Sequence, residues 1–184
     1  MDLDLKTTQL LVSRICHDLA GGVSAVSTGT ELLADEGGAV AADAVALIAS
    51  SAQQSSRRLQ FLRVAFGQGG GQGGGQGGGA GGDTIALTEL RTLTHGLLEG
   101  GRVSLVWDDM APGGGDRISL SAGKLVLNLC LIGSETLPRG GVLEVSGGDV
   151  GDGLIGFAVA AHIVYDHLVF LGEMTHLRFP ISCA

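Results

Sequence analysis

The sequence predicts an α+β protein, with a helical hairpin at the N-terminus and a small α/β sandwich after it. Along residues 5–66, apolar side chains recur at alternating spacings of three and four, which is typical of packed helices. Short alternating segments typical of strands follow only after residue 83. A Gly/Gln-rich segment separates the two patterns. We therefore expect a hairpin domain at 1–66, a linker at 67–82 and an α/β domain at 83–184.

The first domain is predicted to be two antiparallel helices, at about 5–34 and 39–66, joined by the turn Asp35-Glu36-Gly37-Gly38. On the first helix, the side facing its partner is predicted to carry Val12, Ile15, Leu19, Gly22, Val26, Gly29 and Leu33. On the second helix, it is predicted to carry Val45, Ile48, Ala52, Ser55, Leu59, Leu62 and Phe66. A lone hairpin exposes much apolar surface, so we expect two copies to form a four-helix bundle, which makes the protein a homodimer.

The second domain is predicted to place a sheet on helices. Its expected elements are a strand at 84–87, a helix from the N-cap Thr88 to Leu98, a strand at 102–107, a helix at 121–137, a hairpin of strands at 142–146 and 154–160, a helix at 163–171 and a last strand at 176–181. The segment 149–153, rich in Gly and Asp, is expected to form the turn of the hairpin.

The composition of the chain argues against several classes of function. The 184-residue chain has a formal net charge of −8, which argues against binding to nucleic acid or to an anionic membrane. No apolar run approaches the roughly 20 residues that span a bilayer, and the N-terminus does not resemble a signal peptide, so we expect a cytoplasmic protein. The three cysteines, Cys16, Cys130 and Cys183, form neither a disulfide framework nor a zinc motif.

His17 is the candidate for chemistry, within the segment Ser13-Arg14-Ile15-Cys16-His17-Asp18-Leu19. At about 100° per residue it points away from the side of Ile15, with Arg14 and Asp18 as neighbours. The antiparallel hairpin brings residues near 56–60 past it, which makes Ser56, Arg57 and Gln60 candidates for the same patch. The alternative is an ordinary solvated histidine beside a weak Arg14–Asp18 surface pair.

Several motifs together resemble the ChpT-type histidine phosphotransferases of alphaproteobacteria. These motifs are Cys16-His17-Asp18, the stretch from Arg58 to Gly67, Lys124-Leu125-Val126-Leu127-Asn128-Leu129, and Leu137-Pro138-Arg139-Gly140-Gly141. The resemblance implies a dimeric phosphorelay shuttle, with a second domain similar to a degenerate histidine-kinase ATPase domain that docks partners and does not bind ATP. His17 would take a phosphoryl group from the receiver domain of a hybrid histidine kinase and pass it to response regulators.

The resemblance and the residues together give the expected roles. His17 is the phosphoacceptor, and Asp18 accepts a hydrogen bond from its imidazole or tunes its basicity. The residues expected to contact the partner are Arg14, Ser13, Gly21, Arg57 and Gln60. We expect no cofactor of the chain's own, because the receiver domain would bring Mg²⁺ together with its aspartate.

Two other functions stay open at this point. The first is a noncatalytic dimeric adaptor that binds response regulators, and the second is an ATP-dependent kinase fragment. Asn128 stands where the kinases place a metal-binding Asn, which favours the kinase. However, a turn at 149–153 lies before the second strand of the hairpin, whereas the kinase nucleotide box follows that strand. No metal site is expected at the remaining histidines, His95, His162, His167 and His176.

Overall fold

The computed structural model describes residues 5–35, 39–67, 84–108, 117–149, 154–165 and 168–180. The chain divides into two compact units, Met1–Leu62 and Arg63–Ala184. The first is helical, and the second combines helices with two β-sheets, so the α+β class is confirmed. Nearly all of the predicted linker, 68–82, lies outside the described residues.

Two long helices form the hairpin, and both match their predicted bounds closely. They are α1 (Leu5–Asp35) and α2 (Ala39–Phe66). The helices approach closely at small residues: a Cβ added at Gly22 would lie 1.9 Å from Ser55 Oγ, and one at Gly29 would lie 2.5 Å from Ile48 Cγ1. The later glycine meets the earlier residue of α2, so the helices run antiparallel. No described helix is long and apolar enough to cross a membrane.

The predicted packing face of α2 is partly wrong. Val45, Ala52 and Leu59 were expected to face α1, but all three are exposed. Ile48 and Ser55 meet α1 as predicted, whereas Ala44, Ser51 and Arg58 take the places of the other three. Close helix approach requires small side chains, and a rotation of α2 by less than one residue brings Ala44 and Ser51 to the contact. On α1, Gly22 and Gly29 do face α2, whereas Val12 and Leu33 are exposed.

The described residues of the second unit form the last turn of α2 and eight further elements. In chain order these are β1 (Thr84–Ala86), α3 (Leu87–Leu98), β2 (Val103–Trp107), β3 (Arg117–Ser119), α4 (Leu120–Glu135), β4 (Gly141–Asp149), β5 (Leu154–Tyr165) and β6 (Leu168–Pro180). The short strands β1 and β3 pair antiparallel. The main sheet has the order β2-β4-β5-β6, in which β2 is parallel to β4 and the other pairs are antiparallel.

The core of this unit lies between α4 and one face of the main sheet. Leu143, Val145 and Val159 are fully buried on that face. Gly133 allows α4 to approach them, because a Cβ there would lie 2.7 Å from Leu143 Cδ1. Side chains alternate across a strand, so the intervening residues of β4 and β5 lie on the opposite face of the sheet.

Two predictions for this unit are wrong. The segment 163–171 is not a helix, because β5 continues to Tyr165 and β6 begins at Leu168, with Ile163 paired to Phe170. β-Branched and aromatic residues in this stretch favour strands, and a continuous apolar run does not reveal its period. Thr88 does not cap α3, whose N-cap is Ala86 without a side-chain hydrogen bond.

Candidate active site

His17 projects from α1 into solvent, with 87% of its side chain exposed. Its Nδ1 lies 3.5 Å from Asp18 Oδ1, so this side of the ring is turned toward the acid. The second ring nitrogen, Nε2, lies on the far side of the imidazole and is turned away from Asp18. An imidazole in this orientation offers Nε2 as the nucleophile.

Asp18 is buried, although it follows an exposed histidine. Only 6% of its side chain is exposed, which does not fit the alternative of an ordinary surface pair. Each carboxylate oxygen lies 3.2 Å from Nε of Arg14, one turn earlier on α1. Oδ2 also lies 3.4 Å from a terminal nitrogen of Arg58 on α2. The rotation of about 100° between adjacent residues turns Asp18 toward α2 and leaves His17 outside.

Arg58 lies next to Asp18, and the sequence prediction did not include it among the residues of this patch. The predicted candidates from α2 are Ser56, Arg57 and Gln60, from the passage of residues 56–60 beside His17. In the structure Leu59 is exposed and Arg58 points toward α1. A signal was present in the sequence: an acid on the inner side of α1 needs a cation opposite it, and Arg58 stands seven residues after Ser51, on the same side of α2.

The other predicted contact residues have different environments. Arg14 contacts Asp18. Ser13 and Gln60 are exposed, and Arg57 is half-buried. Gly21, one turn after His17, is exposed, and a Cβ added there would meet nothing within 4 Å. The surface beside His17 is therefore open on the Gly21 side.

In the second unit, two polar residues of α4 bind the end of α2. Lys124 Nζ donates a hydrogen bond to the carbonyl oxygen of Gly67. Asn128 Nδ2 donates to the carbonyl oxygens of Lys124 at 2.8 Å and of Ala65 at 3.4 Å. The last carbonyl groups of a helix lack partners within the helix, and α4 supplies donors for them. β4 ends at Asp149 and β5 begins at Leu154, with 150–153 between them outside the described residues.

The remaining histidines differ from His17. His162 is buried on β5, and its Nε2 lies 2.9 Å from Glu144 Oε2 on β4. His95 is exposed, with Nδ1 4.0 Å from Glu99 Oε2. His167 and the side chain of His176 lie outside what the structure describes. Within the described part of the chain, no three His, Cys, Asp or Glu side chains are grouped to hold a metal ion.

Comparison with known proteins shows that the chain is similar to phosphotransferases. Residues 87–166 match the family described as the histidine phosphotransferase C-terminal domain. The chain is 40% identical, over 138 residues, to the protein phosphotransferase ChpT of Brucella abortus (strain 2308). This match covers 74% of the chain but only 58% of the relative's length. A solved structure of a bacterial phosphotransferase has 32% identity and a TM-score of 0.67, covering 88% of this chain and 70% of that one.

Proposed function

Because the chain belongs to the ChpT-type histidine phosphotransferases, we propose that His17 carries a phosphoryl group between receiver-domain aspartates in a two-component phosphorelay. One observation carries the proposal: His17 is exposed and its Nδ1 faces Asp18, so its Nε2 is free for an incoming phosphoryl group. The expected donor is the receiver domain of a hybrid kinase, and the expected acceptors are response regulators.

The transfer requires no further reactant. The Nε2 lone pair attacks phosphorus of the donor's aspartyl phosphate, so the N–P bond forms as the aspartyl O–P bond breaks and the carboxylate leaves. The proton on Nδ1 stays between the imidazole and Asp18 Oδ1. In the second transfer, an acceptor aspartate attacks phosphorus and the N–P bond breaks. The receiver domain would bring Mg²⁺ to balance charge on the phosphoryl oxygens.

The charges around Asp18 support this role. Two guanidinium groups, of Arg14 and Arg58, lie against one carboxylate next to His17. Phosphoryl transfer depends mainly on positioning and charge stabilisation. Two arginines close to His17 favour the approach of an anionic group, in a chain whose overall charge of −8 would oppose it.

The second unit is proposed to be a degenerate ATPase-like domain that docks partners and does not bind nucleotide. Lys124 and Asn128, on the helix that would line a nucleotide site, are engaged with carbonyl groups at the end of α2. Titration calorimetry with a nonhydrolysable ATP analogue and Mg²⁺ is expected to give no heat of binding. Micromolar binding would favour the kinase alternative.

The hairpin is proposed to form a homodimeric four-helix bundle. Val12 and Val23 on α1 lie about a quarter turn from Gly22, and Val45 and Leu59 on α2 lie about a quarter turn from Ser51 in the same sense. All four side chains are more than half exposed. In an antiparallel pair, this places both apolar stripes on one side of the hairpin, whereas His17 projects on the other side.

The dimer is tested by adding one charge to this apolar face. Leu59→Glu is expected to convert the dimer to a monomer in light scattering, because a desolvated carboxylate would oppose association. Gln53→Glu adds the same charge at an exposed site of α2 away from the stripe, and is expected to leave the dimer intact. A wild-type monomer at micromolar concentration would contradict the bundle.

The function is tested by phosphotransfer from a phosphorylated receiver domain. Wild-type protein is expected to acquire an acid-labile label, and His17→Ala is expected to acquire none while still binding the receiver. If no phosphohistidine can be trapped and His17→Ala binds receivers as the wild type does, the adaptor alternative is favoured.

A further inference from the structure

Arg58 reaches the candidate site from the opposite helix, and this separates its role from that of Arg14. Arg14 lies on α1 itself, four residues before Asp18, with 44% of its side chain exposed. Both arginines contact the same buried carboxylate, so the difference between them lies in the helix that carries each one. Arg58 lies on α2 and is less exposed, at 33%. A contact across the hairpin fixes Asp18 relative to α2, which a partner on the same helix cannot do.

The close approach of the two helices at Gly22 allows Arg58 to contact Asp18. A Cβ at Gly22 would lie 1.9 Å from Ser55 Oγ, so the backbones are close at this level. Asp18 stands one turn before Gly22, and Arg58 stands three residues after Ser55. In an antiparallel hairpin, both steps run in the same direction along the axis. The guanidinium therefore meets the carboxylate at 3.4 Å.

Arg58 makes this contact while one of its donors stays unsatisfied. Its Nε is buried and has no hydrogen-bond partner among the described residues. A buried N–H group without an acceptor costs about 1–3 kcal/mol. The attraction to Asp18 therefore accounts for where the guanidinium lies.

Both carboxylate oxygens of Asp18 contact Arg14, but beyond Arg14 each oxygen faces a different residue. Oδ2 is the oxygen nearest Arg58, and Oδ1 is the oxygen that faces His17 Nδ1 at 3.5 Å. A rotation of the carboxylate would exchange these positions or move Oδ1 away from the imidazole. We propose that Arg58 is a positioning residue that acts through Asp18, holding His17 with Nδ1 inward and Nε2 outward. The proposal rests on the proposed function, since it assigns a role to Arg58 in the same transfer.

The test combines a double-mutant cycle with NMR of the imidazole. Long-range ¹⁵N–¹H spectra distinguish the Nδ1–H from the Nε2–H tautomer of His17, and the transfer rate from a phosphorylated receiver is measured beside them. The variants are Arg58→Gln, Asp18→Asn and the double variant. Arg91→Gln, which removes an exposed arginine of α3 in the second unit, is the matched control and is expected to behave as wild type.

We expect the wild-type neutral imidazole to carry its proton on Nδ1. Arg58→Gln is expected to shift the population toward Nε2–H and to slow transfer roughly 10- to 100-fold, which is the usual effect of misplacing a reacting group. The double variant is expected to transfer no more slowly than Asp18→Asn alone. Arg58 acts on His17 only through Asp18, so its loss has no further effect once Asp18 is replaced.

Other outcomes overturn the proposal. A wild-type Nε2–H tautomer would do so without any variant, as would additive rate losses in the cycle or an Arg58→Gln protein with the wild-type tautomer and rate. If circular dichroism shows that the Arg58→Gln protein is unfolded, Arg58→Met replaces it in the test. Methionine keeps much of the length of the arginine side chain without its charge. A tautomer shift in a protein that takes no phosphoryl group would contradict the proposed function and leave the positioning role intact.

Discussion

Each unit contains a histidine beside an acid, and the two pairs are inverted with respect to solvent. In the hairpin, His17 is 87% exposed and Asp18 is 6% exposed. In the sheet, His162 is 10% exposed and Glu144 is 42% exposed. A buried acid between two arginines can orient an imidazole that partners can reach. A buried imidazole next to an exposed acid is closed to partners, so its contribution is structural.

The cysteines show the same contrast. Cys16 precedes His17 and is exposed, whereas Cys130 of α4 is buried. Burial raises the pKa of the Cys130 thiol to about 12, against a smaller opposing effect of its hydrogen bond with Thr94. In the hairpin, the thiol of Cys16 and the imidazole of His17 are therefore open to solvent. In the second unit, the thiol of Cys130 is enclosed in the core.

The largest expected effect separates the two histidines. His17→Asn is expected to lower the phosphotransfer rate at least about 1,000-fold, because the amide nitrogen of asparagine is not a nucleophile. His162→Asn is expected to keep the rate within about threefold and to lower the melting temperature, because it disturbs a buried side chain. Rates come from receiver-to-protein transfer, and melting is followed by circular dichroism. A transfer-dead but folded His162→Asn protein would break the comparison.

The next effect separates the two thiols. In a Cys183→Ser background, Cys16 is expected to react with iodoacetamide at pH 8 at least about 100-fold faster than Cys130, because only the thiolate reacts and burial suppresses it. The folded state holds the Cys130 proton more tightly than the unfolded state. The stability from this group is therefore complete below the reference value of 9.0 and is lost as the pH rises toward about 12. Mass spectrometry of the labelled peptides gives the rates, and equal labelling would contradict the assignment.

Two adjacent glycines sharpen the account of the hairpin. Gly22→Ala is expected to cost about 1–3 kcal/mol in unfolding free energy, because its Cβ would overlap Ser55 Oγ at 1.9 Å. Gly21→Ala, with open space around its Cβ, is expected to gain up to about 1 kcal/mol from helix propensity. Urea unfolding followed by helical circular dichroism compares them. A Gly22→Ala protein that gains stability as Gly21→Ala does would contradict the close contact of the helices at Gly22.

The smallest effect concerns helix capping in the second unit. Ser119 accepts a hydrogen bond from the backbone N–H of Ala122, so Ser119→Ala is expected to cost about 1 kcal/mol without changing the phosphotransfer rate. Thr88→Ala is the matched control, because Thr88 does not cap α3. Denaturant midpoints measure both variants. A slower transfer in Ser119→Ala would indicate that the second unit influences the chemistry directly.

The sequence predicted most elements because their signals are local. The two long helices, the strands β2 and β4, and the exposed position of His17 all follow from apolar periodicity. The inward position of Asp18 and the role of Arg58 depend on helix rotation, which is determined by the close contacts of Gly22 and Gly29. The Glu144–His162 pair depends on strand register, which joins residues distant in sequence. The segment 163–171 was misassigned because an apolar run favours strand and helix alike.

The central claim is that Nε2 of His17 carries the phosphoryl group. The most direct measurement is ³¹P–¹⁵N NMR on ¹⁵N-histidine-labelled protein after transfer from a phosphorylated receiver domain, with peptide mapping under alkaline conditions that preserve phosphohistidine. The account predicts one phosphorus coupled to Nε2 of the histidine in the Cys16-His17-Asp18 peptide. Phosphorus bound to Nδ1, to another histidine or to no histidine would contradict it.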